Sequence, residues 1–306
     1  MEASTFILTC ADGHRMPVYA WLPPQPPAAI ILIAHGMAEY ALRYATIASA
    51  FTSENFAVYA YDQRGHGYAV AETGQLGIVK GNWFNQQVED MNLLVRDLKA
   101  QYRGKKIFLL GHSMGSFLSQ RYFQLHGKEI DGLILSATNG KKDPLLGIGI
   151  NVAFLQAALF GKNFRSHLID KLSFGKFNSA FKPNRTSHDW LSRNEAEVDQ
   201  YITNPFCGFV CSALFFKDFF NGIKDALNHK NIKRIPLNIP VYAFAGDKDQ
   251  VGGEGKGFLT LIDKWKAIGL KDFTHHLYKD GRHEMMNETN REEVLANIRA
   301  WLKKHL

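Results

Sequence analysis

Several short runs stand out along the chain because both alternating sets of positions are apolar: 29–34 (AIILIA), 56–61 (FAVYAY), 107–110 (IFLL), 132–135 (GLIL) and 241–245 (VYAFA). A strand with one wet face alternates apolar with polar residues. A run that is apolar on both faces suits a strand buried on both sides, as in a parallel sheet covered by helices. Segments of helix length lie between these runs, and 43–54, 84–102, 114–125, 255–267 and 291–302 carry apolar residues at three- and four-residue spacing. Strand and helix in alternation predict a doubly wound α/β sheet, mostly parallel and flanked by helices. Two earlier apolar runs, 5–10 and 16–22, end at Pro23-Pro24-Gln25-Pro26-Pro27, which stops regular pairing.

The alternation breaks between 139 and 240. No run there reads as a buried strand; amphipathic segments, an aromatic cluster (Phe215, Phe216, Phe219, Phe220) and scattered Gly and Pro take its place. This predicts a mainly helical cap at 139–240 inserted into a core built from 1–138 and 241–306. Within the cap, 145–160 is apolar nearly all the way round if helical, so something must cover it. Either it is buried between cap and sheet, or it is a lid covered by ligand or lipid.

Composition narrows the class without naming it. With 306 residues, 46% hydrophobic and 21% charged, the chain is an ordinary globular protein, neither collagen-like, disordered nor a disulfide scaffold. The formal charge of +7 comes from scattered Lys and Arg; the densest patch, 230–234, reads as a solvated loop, so no nucleic-acid partner is expected. Cys207 and Cys211 are four apart, as on one helical turn, but no second Cys/His pair follows at ligand spacing. The three cysteines read as free thiols, with no metal and no cofactor expected. Residues 1–5 lack the basic start of a secretion signal and no apolar run reaches ~20 residues, so the expectation is a cytoplasmic protein, at most peripheral to a membrane.

The chemistry begins where 107–110 runs into Gly111-His112-Ser113-Met114-Gly115, followed by a helical pattern. A serine on so tight a strand-to-helix turn is lifted above the sheet edge, and glycines on either side remove collisions with the neighbouring strand and helix. Its hydroxyl needs a base, and the base needs an orienting carboxylate. In the chain order Ser, acid, His, the run 241–245 leads to Gly246-Asp247-Lys248-Asp249, and 273–278 leads to Gly281-Arg282-His283-Glu284. Asp249 and His283 are the candidates at this rim; Asp247, one residue past Gly246, competes with Asp249 but reads better as a turn former. The Met114 amide, at the helix start, and the Met37 amide, in His35-Gly36-Met37 after the first buried run, are the candidate oxyanion donors. The stretch from Asp247 fails as a calcium loop because Val251 and Phe258 stand where oxygen ligands belong. The glycines at 252–257 fail as a phosphate loop because Gln250 and Gly257 break the pattern.

Taken together, these motifs resemble the monoacylglycerol lipase and bacterial lysophospholipase group of α/β-hydrolases. The carriers are His35-Gly36-Met37-Ala38-Glu39 with Arg43-Tyr44, Tyr61-Asp62-Gln63-Arg64-Gly65-His66-Gly67, the Ser113 motif, Leu191-Ser192-Arg193-Asn194 with Glu197 and Tyr201, and the stretch from Gly281 to Glu288. The resemblance implies an α/β-hydrolase fold, a Ser113–Asp249–His283 triad, and Glu39, Arg43 and Tyr201 framing the polar head of the substrate. Departures are Met286, where animal members carry a second histidine, and Met37, where a smaller residue is common. The implied function is a serine carboxylic ester hydrolase cleaving single-chain lipid esters, with transient membrane contact through the cap. A thioesterase or peptidase on the same fold is the alternative, and a non-catalytic ligand-binding homologue a further one.

Overall fold

The computed structural model describes residues 2–306, apart from the side chain of Ala69. In chain order, the hairpin β1 (Ser4–Thr9) and β2 (Arg15–Trp21) leads to β3 (Ala29–Ala34), α1 (Ala45–Thr52), β4 (Phe56–Tyr61), the short α2 (Tyr68–Ala71) and α3 (Trp83–Gln101). Next come β5 (Lys106–His112), α4 (Met114–His126) and β6 (Gly132–Ser136). Then α5 (Leu146–Phe160), α6 (His167–Phe174), α7 (Glu195–Thr203), α8 (Ala213–Ala226) and α9 (His229–Ile232) follow. The chain closes with β7 (Val241–Gly246), α10 (Lys256–Ala267), β8 (Phe273–Tyr278) and α11 (Arg291–Lys304). The eight strands form one sheet in the order β1-β2-β4-β3-β5-β6-β7-β8. The pairs from β4 to β8 are parallel; β1 with β2 and β2 with β4 are antiparallel.

The alternation within β3 shows why these strands lie inside. Ile30, Leu32 and Ala34 enter one core cluster, with Met91 of α3, Leu118 of α4, Phe215 of α8 and Phe258 of α10. Ala29, Ile31 and Ile33 enter the other, with Phe51 of α1 and Trp301 of α11. Burying each large apolar side chain contributes about 1.5–3 kcal/mol, so a strand apolar on both faces belongs at the centre of a covered sheet. Parallel order then brings the loops after β3, β5, β7 and β8 to one rim.

Between β6 and β7 no described residue adds a strand to the sheet. The aromatic cluster of this stretch belongs to α8, which buries Phe215, Phe216 and Phe219 in the core. Phe215 stacks on Trp83 with ring centroids 4.3 Å apart, and Trp83 Nε1 donates to the Phe215 carbonyl at 3.0 Å. The helix α8 therefore roots the stretch in the layer over the sheet. Because α8 already covers that face, α5 packs outside it and buries only Ala153. Ile148, Phe154, Leu155, Leu159 and Phe160 are exposed, Leu159 by 74%. This corrects the option that 145–160 is buried between cap and sheet.

Two anchors bracket α5. The Gly140 N–H donates to the Gly257 carbonyl at 2.9 Å and Lys264 Nζ donates to the Gly140 carbonyl at 2.8 Å. On the far side, the Arg165 guanidinium donates to the carbonyls of Leu76 (2.6 Å), Val210 (2.8 Å) and Gly74 (3.2 Å). Cys207 and Cys211 do not share a helical turn: Gly208, at φ +66°, bends the chain between them in the loop before α8. Both are free thiols, as is Cys10.

Candidate active site

Ser113 sits where β5 turns into α4, with φ +50° and ψ −116°, a conformation few L residues adopt. Its N–H donates to the Ser136 carbonyl of β6 at 3.0 Å, which holds the turn against the sheet. Glycine is required beside it for reasons of space. A Cβ at Gly115 would strike the Ala34 carbonyl of β3, and one at Gly111 would strike Ser119 Oγ and the Gly115 backbone.

The loops after β7 and β8 supply the two partners. The Ser113 hydroxyl lies 2.9 Å from His283 Nε2, and His283 Nδ1 lies 3.0 Å from Asp249 Oδ1. Asp249 Oδ1 also accepts the Val251 N–H at 2.9 Å, which fixes the carboxylate. With Nδ1–H donated to Asp249, the Nε2 lone pair faces the serine hydroxyl. Burial alone would push the imidazole pKa down. The Asp249 carboxylate, with Glu284 and Glu39 behind it, outweighs this and raises it above the usual histidine value. Asp247 has a different place: its Oδ1 accepts the Asp280 N–H at 2.7 Å and pins the turn after β8.

Opposite the imidazole, Met37 lines the cavity, and its N–H has no acceptor among the described residues. The Met114 N–H opens α4, where the helix itself offers no acceptor. Two buried histidines shape the Met37 loop. His66 Nδ1 donates to the Arg64 carbonyl at 3.0 Å, so its Nε2 accepts the Ala38 N–H at 3.1 Å. His35 Nδ1 donates to the Gly36 carbonyl at 2.7 Å and its Nε2 accepts the Gln63 N–H at 3.1 Å. Burial depresses both pKa values, to about 4 for His35 and about 3 for His66, so each ring stays neutral and keeps one tautomer. The motif at 35–36, read in the sequence as the start of this loop, and that at 64–67, legible there only as a resemblance, thus build the loop that presents Met37.

Ser113 and His283 open into a cavity of about 310 Å³. Its core side is Met37, Glu39 and His112; its other side comes from the 139–240 stretch, with Asp170, Lys171, Phe174, His188, Trp190, Leu191, Tyr201 and Phe209. Of these, sequence reading placed Tyr201 at the site and Leu191 in a motif, both through the resemblance; Asp170, Lys171 and Phe174 on α6 and His188, Trp190 and Phe209 in loops belong to no motif that marks them as cavity lining. The Trp190 ring lies 5.2 Å from that of His283, and the Leu191 carbonyl accepts the Glu284 N–H at 2.8 Å. Ser192 Oγ donates to the Asn287 carbonyl at 2.9 Å and Arg193 Nε to the buried Glu288 at 2.9 Å. The Leu191-Ser192-Arg193-Asn194 segment is therefore a latch between the inserted stretch and the histidine loop. Of the three residues placed at the substrate head by resemblance, Glu39 and Tyr201 line the cavity. Arg43 does not; it lies behind them, with both amino groups held by carboxylates.

A mostly parallel sheet with a serine on the tight turn after its central strand, and a histidine and a carboxylate on later loops within hydrogen-bond reach of it, defines an α/β-hydrolase of the serine type. The family described as serine aminopeptidase, S33, matches residues 25–290, and the chain belongs to it. It is 26% identical over 310 aligned positions to a monoglyceride lipase of Rattus norvegicus, covering 98% of this chain and 90% of the relative. A monoglyceride lipase homolog of Monkeypox virus is 34% identical, with 92% of each chain covered. A thermostable carboxyl esterase from Bacillus coagulans, solved in complex with glycerol, superposes with a TM-score of 0.88 at 25% identity, covering 99% of both chains. No helix among the described residues is long and apolar enough to cross a membrane.

Proposed function

We propose that this chain hydrolyses carboxylic esters of single-chain lipids, monoacylglycerols or lysophospholipids, through an acyl-enzyme on Ser113. The observation that carries the reading is the Ser113 hydroxyl 2.9 Å from His283 Nε2 at the wall of a largely apolar cavity. In this reading His283 takes the Ser113 proton as Oγ attacks the ester carbonyl, and Asp249 stabilises the imidazolium that forms. The Met37 and Met114 amides receive the oxyanion, each lowering the barrier by about 3 kcal/mol. Collapse of the tetrahedral species breaks the ester C–O bond, and the departing alcohol takes the proton from Nε2. Water then gives a proton to His283 and attacks the acyl carbon, and Oγ leaves with that proton.

The 139–240 stretch acts as a cap over the core formed by 1–138 and 241–306. Tyr201, with the loop held by Glu39 and Arg43, frames the polar head, while the apolar wall takes the acyl chain at roughly 0.8 kcal/mol per buried CH₂. The monoglyceride lipases among the relatives support a glycerol head. The exposed apolar residues of α5, with Leu168 and Leu172 of α6, support transient seating on a membrane at its cytoplasmic side. A fluorophosphonate should label Ser113 in the unaltered protein and not in Ser113→Ala. A panel of monoacylglycerols, lysophospholipids, acyl thioesters and aminoacyl anilides should then give fastest turnover on the lipid esters. Faster cleavage of the thioesters or anilides would overturn the substrate class.

A further inference from the structure

Arg43 bridges two carboxylates from different loops and does not line the cavity. Its Nη1 donates to Glu39 Oε2 at 2.9 Å and to Glu284 Oε1 at 2.6 Å, and its Nη2 donates to Glu284 Oε2 at 2.7 Å. The carboxylates are themselves fully used. Glu39 Oε1 accepts the Gly36 N–H at 2.5 Å and the Tyr44 hydroxyl at 3.0 Å, and Glu284 Oε2 also accepts Asn287 Nδ2 at 3.0 Å. All three side chains are nearly out of solvent, and the Tyr201 ring, which does line the cavity, lies 5.0 Å from the guanidinium. Gly36 must be glycine for this arrangement, since a Cβ there would sit 2.7 Å from Glu39 Oε1.

The covalent neighbours of this network give it a purpose. Gly36 precedes Met37 and Glu284 follows His283, so one guanidinium ties the loop of the oxyanion amide to the loop of the base. We infer that Arg43 is a positioning residue, a strut that sets the distance between the Met37 amide and the His283 imidazole, and not a ligand of the substrate head. The inference rests on the serine hydrolase reading above, and it explains why a buried cation is matched by two carboxylates. A planar fork held through both terminal nitrogens, one of them by two carboxylates, fixes orientation as well as distance, which an ammonium cannot do. The excess negative charge also faces His283, whose other charged or polar neighbours are Asp249, Ser113 and the neutral His112.

The test compares Arg43→Lys and Glu284→Gln with the unaltered protein on a monoacylglycerol and on the methyl ester of the same fatty acid. The strut predicts that Arg43→Lys lowers kcat about tenfold or more on both esters with KM little changed, because a displaced amide or imidazole harms every substrate alike. It predicts that Glu284→Gln lowers kcat and moves the acid limb of the pH profile to lower pH, since a carboxylate beside His283 is lost. The rate of fluorophosphonate labelling at Ser113 should fall in both variants, a readout that does not depend on which substrate is right. A rise in KM confined to the monoacylglycerol would make Arg43 a head-group ligand and overturn the strut. So would unchanged labelling with an unmoved acid limb in Glu284→Gln, which is nearly isosteric and decides the matter if Arg43→Lys does not fold. Failure of the serine reading looks different: labelling of Ser113→Ala, or no labelling of the unaltered protein.

Discussion

At Ser113 the backbone is held at φ +50° and ψ −116°, and the cost falls on every residue except glycine. Ser113→Gly and Ser113→Ala both remove the hydroxyl, so the difference between them reads the strain less the extra freedom that glycine gives the unfolded chain, about 0.4–1 kcal/mol. The glycine variant should still be the more stable by about 1 kcal/mol in denaturant titration, and an alanine variant more stable than the glycine one would show that the turn carries little strain. Its partner His283 has a raised pKa, and the base must be neutral to accept a proton. Activity should therefore fade as pH falls, with the acid limb above the ordinary histidine value of about 6.5. A profile of kcat/KM on a non-ionising ester checks this; a limb below that value would contradict the charge environment described. Residues 113 and 249 were legible as candidates because each lies just past a strand apolar on both faces; 283 follows the polar-rich run 273–278, and the chain order serine, acid, histidine singled it out. The pairing of Arg43 with Glu284 was not, because the two are 241 residues apart and nothing local marks either as a partner.

The strands were readable as elements because burial on both faces leaves no polar alternation, and β3, β4 and β6 fall where the apolar runs lie. Helices of the core followed from their stripes, with small differences at their ends; the run from 43 begins as a short 3₁₀ turn, Ala41–Tyr44, before α1. What periodicity could not say is which partner a stripe meets. The aromatic face of α8 meets Trp83 and the sheet layer, and that leaves α5 on the outside. Pairing Leu155→Ser with Leu159→Ser on α5 should weaken sedimentation with anionic lipid vesicles while leaving hydrolysis of a short water-soluble ester intact. Each leucine kept from lipid forfeits about 1.5–3 kcal/mol of burial. Undiminished vesicle binding would remove α5 from the contact.

Over the whole molecule, the inserted stretch is secured unevenly. Its later part is pinned by backbone and side-chain bonds from Trp190, Leu191, Ser192 and Arg193 to the histidine loop, and by the burial of α8. Its early part, from 141 to 164, makes no bond to the histidine loop; it rests on α8 through Ala153, with the Phe164 carbonyl accepting the Ala213 N–H at 2.8 Å, and leaves most of the apolar face of α5 exposed. Amide hydrogen exchange should therefore be fastest across 141–164 and slow at 190–194, and uniform protection would contradict this division. The wall that Trp190 and Leu191 give the cavity is thus bolted to the loop of His283 and Glu284, and none of those bolts runs through α5. Whatever the exposed helix meets at a surface, the geometry around the imidazole is anchored elsewhere.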